Sequence, residues 1–156
     1  MGLPNIRWLL ALITALHRFV YRVTGGWVGG GAFGKQFLLL SHTGRRTGEE
    51  RTTPLLYVAD GDRWVVAASN AGDDRPPAWW LNLSARPEAR IQVGRQRVDV
   101  VARRAPEPES ERLWRLLMES YAAFERYRQG TRREIPLVVL ERRRGIGAPG
   151  VGTRDL

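Results

Sequence analysis

The sequence has no cysteine, a single lysine and only two histidines. Without cysteine there are no disulfides, thiolate nucleophiles or cysteine-ligated metals. With only His17 and His42, a histidine-rich metal site is excluded as well. Long apolar runs are also missing. The uncharged stretch from Trp8 to Leu16 is well short of the roughly 18 residues a membrane-spanning helix needs, and no small-residue cleavage site follows it. Neither a span nor a signal peptide is expected.

Arginine, by contrast, is abundant. The 156 residues carry 25 basic against 16 acidic side chains, a formal charge of +9, and Lys35 is the only lysine. Nearly all the positive charge therefore sits on guanidinium groups, which grip phosphate and carboxylate through paired donors. Codon bias also raises arginine content, so the excess alone does not choose between a phosphorylated or carboxylated small molecule, nucleic acid and an anionic membrane. A hydrophobic content of 43% in this length supports one domain with a real core and is too small for two ordinary ones.

Within the N-terminal segment 1–24, residues 5–22 read as a helix. Leu9, Ile13, Leu16 and Val20 recur at helical spacing, and Arg7, Thr14, Arg18 and Arg22 fall on the opposite face. Two readings stay open: a helix lying on an anionic membrane surface, or one packed on its own domain. The glycine-rich stretch 25–35 reads as a linker. Gly29, Gly31 and Gly34 match the spacing of a dinucleotide fingerprint, but a basic helix precedes them and a strand follows, the reverse of the required order. The stretch also fits the start of a P-loop, yet Gln36 stands where a magnesium-binding Ser or Thr is needed.

From Gln36 the pattern turns to strands, expected at 36–42, 51–59, 63–69, 89–93, 95–103 and 135–141. Asp60-Gly61-Asp62 and Gly94 supply hairpin turns. Helices are expected at 78–85 and from about Pro108 to Tyr127, the second with Leu113, Leu117, Tyr121, Phe124 and Tyr127 along one stripe. Strands joined by hairpins form antiparallel sheets, so the expected fold is mainly β with helices (α+β), a six-stranded antiparallel split β-barrel preceded by the amphipathic helix. The barrel domain would span 36–142, and the basic, Gly- and Pro-containing tail 143–156 reads as disordered.

The loop Thr43-Gly44-Arg45-Arg46-Thr47-Gly48, with Arg51 just beyond, joins two strands. Its glycines let the backbone turn sharply and expose amides. Its guanidinium groups supply charge-assisted donors worth about 1.5–3 kcal/mol each. Such a loop suits phosphate or carboxylates, and a solvated hairpin tip is the plainer alternative. Ser41 and His42 are adjacent on a strand and point to opposite faces, so they do not form a nucleophile and base.

Four further motifs follow in order: Thr52-Thr53-Pro54-Leu55-Leu56-Tyr57, Ala67-Ala68-Ser69-Asn70-Ala71-Gly72, Pro77-Ala78-Trp79-Trp80-Leu81-Asn82-Leu83 and Ile135-Pro136-Leu137-Val138-Val139. No one of them is specific. The ordered set, covering about Leu38 to Glu141, resembles the deazaflavin-dependent nitroreductase family, small split-barrel oxidoreductases that use coenzyme F420. The resemblance implies hydride transfer from the reduced deazaflavin, F420H2, to a quinone, a nitroaromatic or an enone-type acceptor. F420 ends in a phosphodiester and an oligoglutamate tail, for which a basic groove is the expected receptor.

By that resemblance Arg45, Arg46, Thr47 and Arg51 would hold the tail and phosphate. Thr53, Pro54, Leu55 and Leu56, with Ala67, Ala68, Ser69 and Asn70, would line the ring, and Ala78, Trp79, Trp80, Leu81 and Asn82 would close over it. The hydride chemistry belongs to the cofactor, so no catalytic triad is expected. Ser69 would hydrogen-bond the acceptor, Tyr121 or Tyr127 would donate to the developing anion, and Trp79 would form an apolar wall. The sequence departs from the family pattern at Arg46, where lysine is common, at Trp80, where tyrosine is usual, and at Phe124, where many members place a tyrosine near the substrate. The last change weighs against nitroreduction more than against cofactor binding.

Two rivals remain. The barrel class also hosts FMN enzymes, and a basic barrel with aromatic side chains can bind single-stranded nucleic acid without catalysis. The enzyme reading implies a cytoplasmic protein with a small-molecule acceptor, no nucleic-acid partner, and peripheral contact with the inner face of the plasma membrane if residues 5–22 lie on lipid.

Overall fold

The computed structural model describes residues 36–144. The expected N-terminal helix, the linker and the tail beyond Arg144 lie outside the described residues. Seven strands and three helices run in the order β1 (Phe37–Thr43), β2 (Glu50–Leu56), β3 (Val58–Asp60), β4 (Arg63–Ala67), α1 (Ala78–Ala85), β5 (Glu88–Val93), β6 (Gln96–Arg104), α2 (Glu109–Ser120), α3 (Ala123–Gly130) and β7 (Leu137–Arg142). The strands form one antiparallel sheet in the order β2-β1-β5-β6-β7-β4-β3.

The seventh strand arises because the expected strand 51–59 breaks at Tyr57. Leu56 pairs with Phe37 on β1, and Val58 pairs with Val65 on β4. These two partners stand near opposite edges of the sheet, so a single residue links the first strand in the order to the last. The sheet must curl to let it, which gives the split-barrel form. Tyr57 is held at this corner by its amide, which donates to the Gln36 carbonyl at 3.1 Å, and by its carbonyl, which accepts from the Tyr121 hydroxyl at 2.9 Å.

Strand chemistry follows position in the curl. β6 alternates buried and exposed residues, with Val98, Val100 and Ala102 inward, as a strand with one wet face should. β4 and β7 are apolar on both faces. Val66, Val138 and Leu140 join the barrel core with Leu38, Leu40, Ile91 and Trp79. Val65, Leu137 and Val139 join a second core with Leu113, Trp114, Leu117 and Phe124 of the helices. The runs Trp-Val-Val-Ala and Leu-Val-Val-Leu are the sequence record of that double burial.

Helix α1 starts after Pro77, whose carbonyl accepts from the Trp80 and Leu81 amides. It stops at Arg86, because the residue before Pro87 is pushed toward an extended conformation, φ −138° and ψ 99°. The helix carries Trp79 and Leu83, 6% and 1% exposed, into the barrel core and so plugs one end of it. Burying each such side chain contributes about 1.5–3 kcal/mol.

The long helix expected from Pro108 to Tyr127 is two helices, broken at Tyr121, which takes φ −143° and ψ 88°. The bond from its hydroxyl to the Tyr57 corner, and a second contact in which that oxygen accepts from the Gln36 amide at 3.0 Å, bind the break to the strand corner. The apolar stripe survives. Leu113, Leu117, Tyr121 and Phe124 are buried, with Tyr127 half-buried beside them.

Candidate functional site

A cleft of about 940 Å³ opens between the β1–β2 loop, the start of β2 and helix α1. Its wall includes Arg45, Arg46, Thr47 and Arg51 on one side, Ala78, Trp79 and Asn82 on the other, and His42 and Thr53 at its base. Antiparallel pairing makes this possible. The register Leu40↔Thr53 and His42↔Arg51 puts those side chains on the interior face that Leu38 and Leu40 occupy further in.

The loop is closed by two backbone bonds. The Gly44 amide donates to the Glu49 carbonyl and the Gly48 amide to the Gly44 carbonyl, both at 2.8 Å. Gly48 takes a positive φ of 73°, which a side chain would strain. At Gly44 the constraint is space: a Cβ would come within 2.7 Å of Thr47 Oγ1 and 3.2 Å of Arg51 Nε. Among the described residues the amides of Arg46 and Thr47 have no hydrogen-bond partner. Among the described residues Arg45 and Arg46 also have no carboxylate within ion-pair distance, and Arg51 reaches only Glu49, at 3.9 Å with both side chains exposed. Glu49 and Glu50 also line the cleft, so its cationic character comes from one lip.

Beneath the loop runs a hydrogen-bonded chain of side chains. Asn82 Oδ1 accepts from the Arg45 amide at 3.0 Å and from Arg45 Nη1 at 3.3 Å. With its oxygen so committed, the amide nitrogen faces His42 Nδ1 at 3.2 Å and donates to it. Nδ1 is therefore the unprotonated nitrogen, and Nε2–H donates to Thr53 Oγ1 at 3.1 Å. The Thr53 hydroxyl proton remains free for a ligand. His42 is 4% exposed, and burial, with the nearby Arg51 charge, lowers its pKa below the usual histidine value, in agreement with a neutral ring.

The comparisons with known proteins agree with one another. The family model described as F420H(2)-dependent quinone reductase matches residues 14–142. The chain belongs to the F420H(2)-dependent quinone reductase family. Members are oxidoreductases that depend on reduced coenzyme F420. An F420H(2)-dependent quinone reductase of Mycobacterium tuberculosis is 42% identical over 132 residues, covering 82% of this chain and 89% of that protein. A solved F420-H2 dependent reductase, FDR-A, superposes with a TM-score of 0.63 at 32% identity, over 67% of this chain and 93% of that one. The heme storage protein HutZ from Vibrio cholerae, 15% identical with a TM-score of 0.55 over 70% of this chain and 82% of that one, shares the fold alone.

Of the residues expected from the sequence to bind this family's cofactor, the cleft gathers Arg45, Arg46, Thr47, Arg51, Thr53, Ala78, Trp79 and Asn82. The remainder lie elsewhere. Parity splits the expected run on β2: Leu55 turns inward against the barrel core, Leu56 packs against the second core, and Pro54 lies on the opposite face from Thr53. Ala68 and Trp80 pack in or against the barrel core, Ala67 in the second core, and Leu81 stands half-buried outside the cleft wall. Ser69 is buried and Asn70 exposed, and neither lines the cleft. The Tyr121 hydroxyl is occupied at the Tyr57 corner, and Tyr127 stacks edge-on with Phe124 at 5.5 Å. Sequence reasoning missed His42, Gly44, Glu49, Glu50 and Thr52 as cleft residues. For His42 the signal was present, since alternation from Leu38 and Leu40 points it inward.

Proposed function

We propose that the cleft receives the phosphodiester and oligoglutamate end of F420H2, and that the chain uses this cofactor to reduce a quinone. One observation supports this reading most: Arg45 and Arg46 stand on a cleft lip without a carboxylate partner among the described residues, beside the free amides of Arg46 and Thr47. Cations left unpaired by the fold cost little while solvated and become paired donors when an anionic ligand arrives. The donor set fits the group.

When bound, the reduced deazaflavin supplies the hydride. The chain's own residues supply placement. Asn82 holds Arg45 to the loop base, and His42 orients Thr53 so that its hydroxyl proton faces the ligand. Trp79 and Ala78 give the apolar wall that excludes water. For the acceptor side, Ser69 remains the proposed hydrogen-bond donor. Of the two phenols, Tyr127 is the one whose hydroxyl has no hydrogen-bond partner among the described residues, so the proton to the developing hydroquinone anion is assigned to it.

Nitroaromatic reduction belongs to this reading as a side activity, which Phe124, without a hydroxyl, does not favour. The arginine face of residues 7–22 supports peripheral contact with anionic lipid, where quinones reside. Among the described residues no helix is long and apolar enough to cross a membrane. Sedimentation with anionic liposomes at low salt tests the lipid contact, and a protein that stays in the supernatant removes it.

The deciding experiment is a fluorescence titration with F420 beside FMN, followed by turnover of F420H2 with a soluble naphthoquinone. Saturable F420 binding with a one-to-one stoichiometry and quinone-dependent oxidation is the expected result. Tight FMN binding without a response to F420 would refute the proposal.

A further inference from the structure

Helix α1 meets the rest of the described structure through two kinds of contact. Trp79 and Leu83 are sunk in the barrel core, which fixes where the helix lies. Among the described residues Asn82 alone carries side-chain hydrogen bonds from α1 to other elements, and both ends of its amide are used. The oxygen accepts from the Arg45 amide and guanidinium on the β1–β2 loop, and the nitrogen meets His42 on β1. Asn82 and His42 are each 4% exposed, so water does not readily replace either partner.

The direction of this chain is set at the loop. A backbone amide can only donate, so Arg45 requires the oxygen of Asn82, and the amide nitrogen is left to face His42. An asparagine amide is close to symmetric in shape, so the partner at its far end decides whether it holds that orientation. A neutral His42 holds it: Nδ1 accepts from Asn82, and Nε2–H is satisfied by Thr53. An apolar side chain at position 42 would leave a buried donor without a partner, and Asn82 would turn away from Arg45 to relieve it.

Two parts of the cleft hang on this orientation. The loop brings Arg45 and Arg46, and α1 brings Ala78 and Trp79. Trp79 lies three residues before Asn82 and so on the same side of the helix, one turn away. The charged lip and the aromatic wall are therefore joined by a single buried pair of side chains.

We propose that His42 is a positioning residue which couples these two parts, so that an anion seated on the Arg45 lip fixes, through Asn82, the placement of Trp79 at the ring end of the ligand. This coupling rests on the F420H2-dependent reading above and extends it. The anionic end of the cofactor then serves hydride transfer as well as affinity, because binding of a remote group is used to orient the reacting one.

The first readout needs no catalysis. In full-length protein labelled with nitrogen-15, a γ-linked triglutamate, which is a tail without a ring, is titrated while the Arg45 and Arg46 amides and the Trp79 indole N–H are followed. In the wild type the loop amides and the indole are expected to shift together, and in His42→Leu the loop amides alone. A silent indole in the wild type, or an equal indole shift in His42→Leu, overturns the coupling. A tail that moves none of these groups overturns the lip as its receptor.

The second readout separates kcat from KM. With a soluble naphthoquinone as acceptor, the wild type is expected to show a kcat about tenfold lower with the same deazaflavin lacking its phosphodiester and glutamates than with F420H2. In His42→Leu the kcat for F420H2 falls to the level of the truncated form while its KM changes little. His42→Gln keeps an acceptor toward Asn82 and a donor toward Thr53, and restores most of the difference. Asn82→Ala breaks the chain from the helix side and gives the same loss if His42→Leu does not fold. Equal kcat for the two cofactor forms in the wild type, or an undiminished difference in these two variants, overturns the coupling alone. Absence of F420 binding by fluorescence overturns the underlying functional reading as well.

Discussion

Arginines on two sides of this small barrel meet opposite fates. Behind the sheet, Arg63, Arg103 and Arg112 are all consumed by carboxylates. Arg112 holds Asp60 through two bonds of 2.9 Å, Arg63 pairs with Asp60 and Glu109, and Arg103 reaches Glu109 at 2.8 Å and Glu141 at 3.0 Å. This network ties α2 to the β3–β4 hairpin, β6 and β7. On the cleft lip, Arg45 and Arg46 find no carboxylate within ion-pair distance among the described residues. The same side chain is cement in one place and, in the proposed function, a receptor in the other, and what separates them is whether the fold provides the counter-charge.

The comparison breaks most directly on the lip. Arg45→Ala with Arg46→Ala is expected to weaken F420 binding by about 3 kcal/mol or more, over a hundredfold, with Tm unchanged. Fluorescence titration and thermal melting together check both halves.

Behind the sheet the pattern should invert. Glu109→Ala takes one carboxylate from each of Arg63 and Arg103, which keep Asp60 and Glu141, and is expected to cost about 1 kcal/mol and lower Tm by about 3 °C while leaving F420 affinity intact. Calorimetry with a parallel titration reads it.

Acid sharpens the same contrast. Hydrogen bonding from Arg112 and Arg63 outweighs burial and lowers the Asp60 pKa from 3.8 to about 2. A carboxylate with a depressed folded pKa contributes stability that is complete above its unfolded pKa and is lost as pH falls through the folded one. The wild type should therefore lose stability progressively from about pH 4 toward pH 2, and Asp60→Asn should show a shallower loss in acid melts across that window.

Salt gives the smallest effect. Raising ionic strength from about 0.05 to 0.5 M shortens the screening length severalfold, and should weaken F420 binding several-fold through the exposed lip while shifting Tm little. Titrations at matched pH would show it.

Much of the barrel was legible in the sequence because local chemistry and burial agree along most strands. β6 advertises its one wet face by alternation, the β4 and β7 runs advertise two dry ones, and Pro77 before α1 and Pro87 after it set both of its ends. Two features were not legible locally. The break at Tyr57 exists because the chain must pass from one sheet edge to the other, and the break at Tyr121 accompanies a hydroxyl bond to that same corner 64 residues away. Neither leaves a turn residue behind.

The site divides along similar lines. The arginine loop and the Ala78–Asn82 face were readable, and the cleft unites them. The sequence suggests one wall at Thr53–Leu56, whereas strand parity sends alternate residues to different cores. His42 was set aside as a base and lies instead at the centre of the Arg45–Asn82–His42–Thr53 chain, which no spacing rule connects.

The measurement closest to the central claim compares F420 with the same deazaflavin lacking its phosphodiester and glutamates, against the wild type and the Arg45→Ala, Arg46→Ala double variant. If the lip is the tail receptor, the wild type binds F420 at least a hundredfold more tightly than the truncated form, and the double variant loses most of that difference without losing affinity for the truncated form. Equal weakening of both ligands, or an undiminished preference for F420, would contradict it.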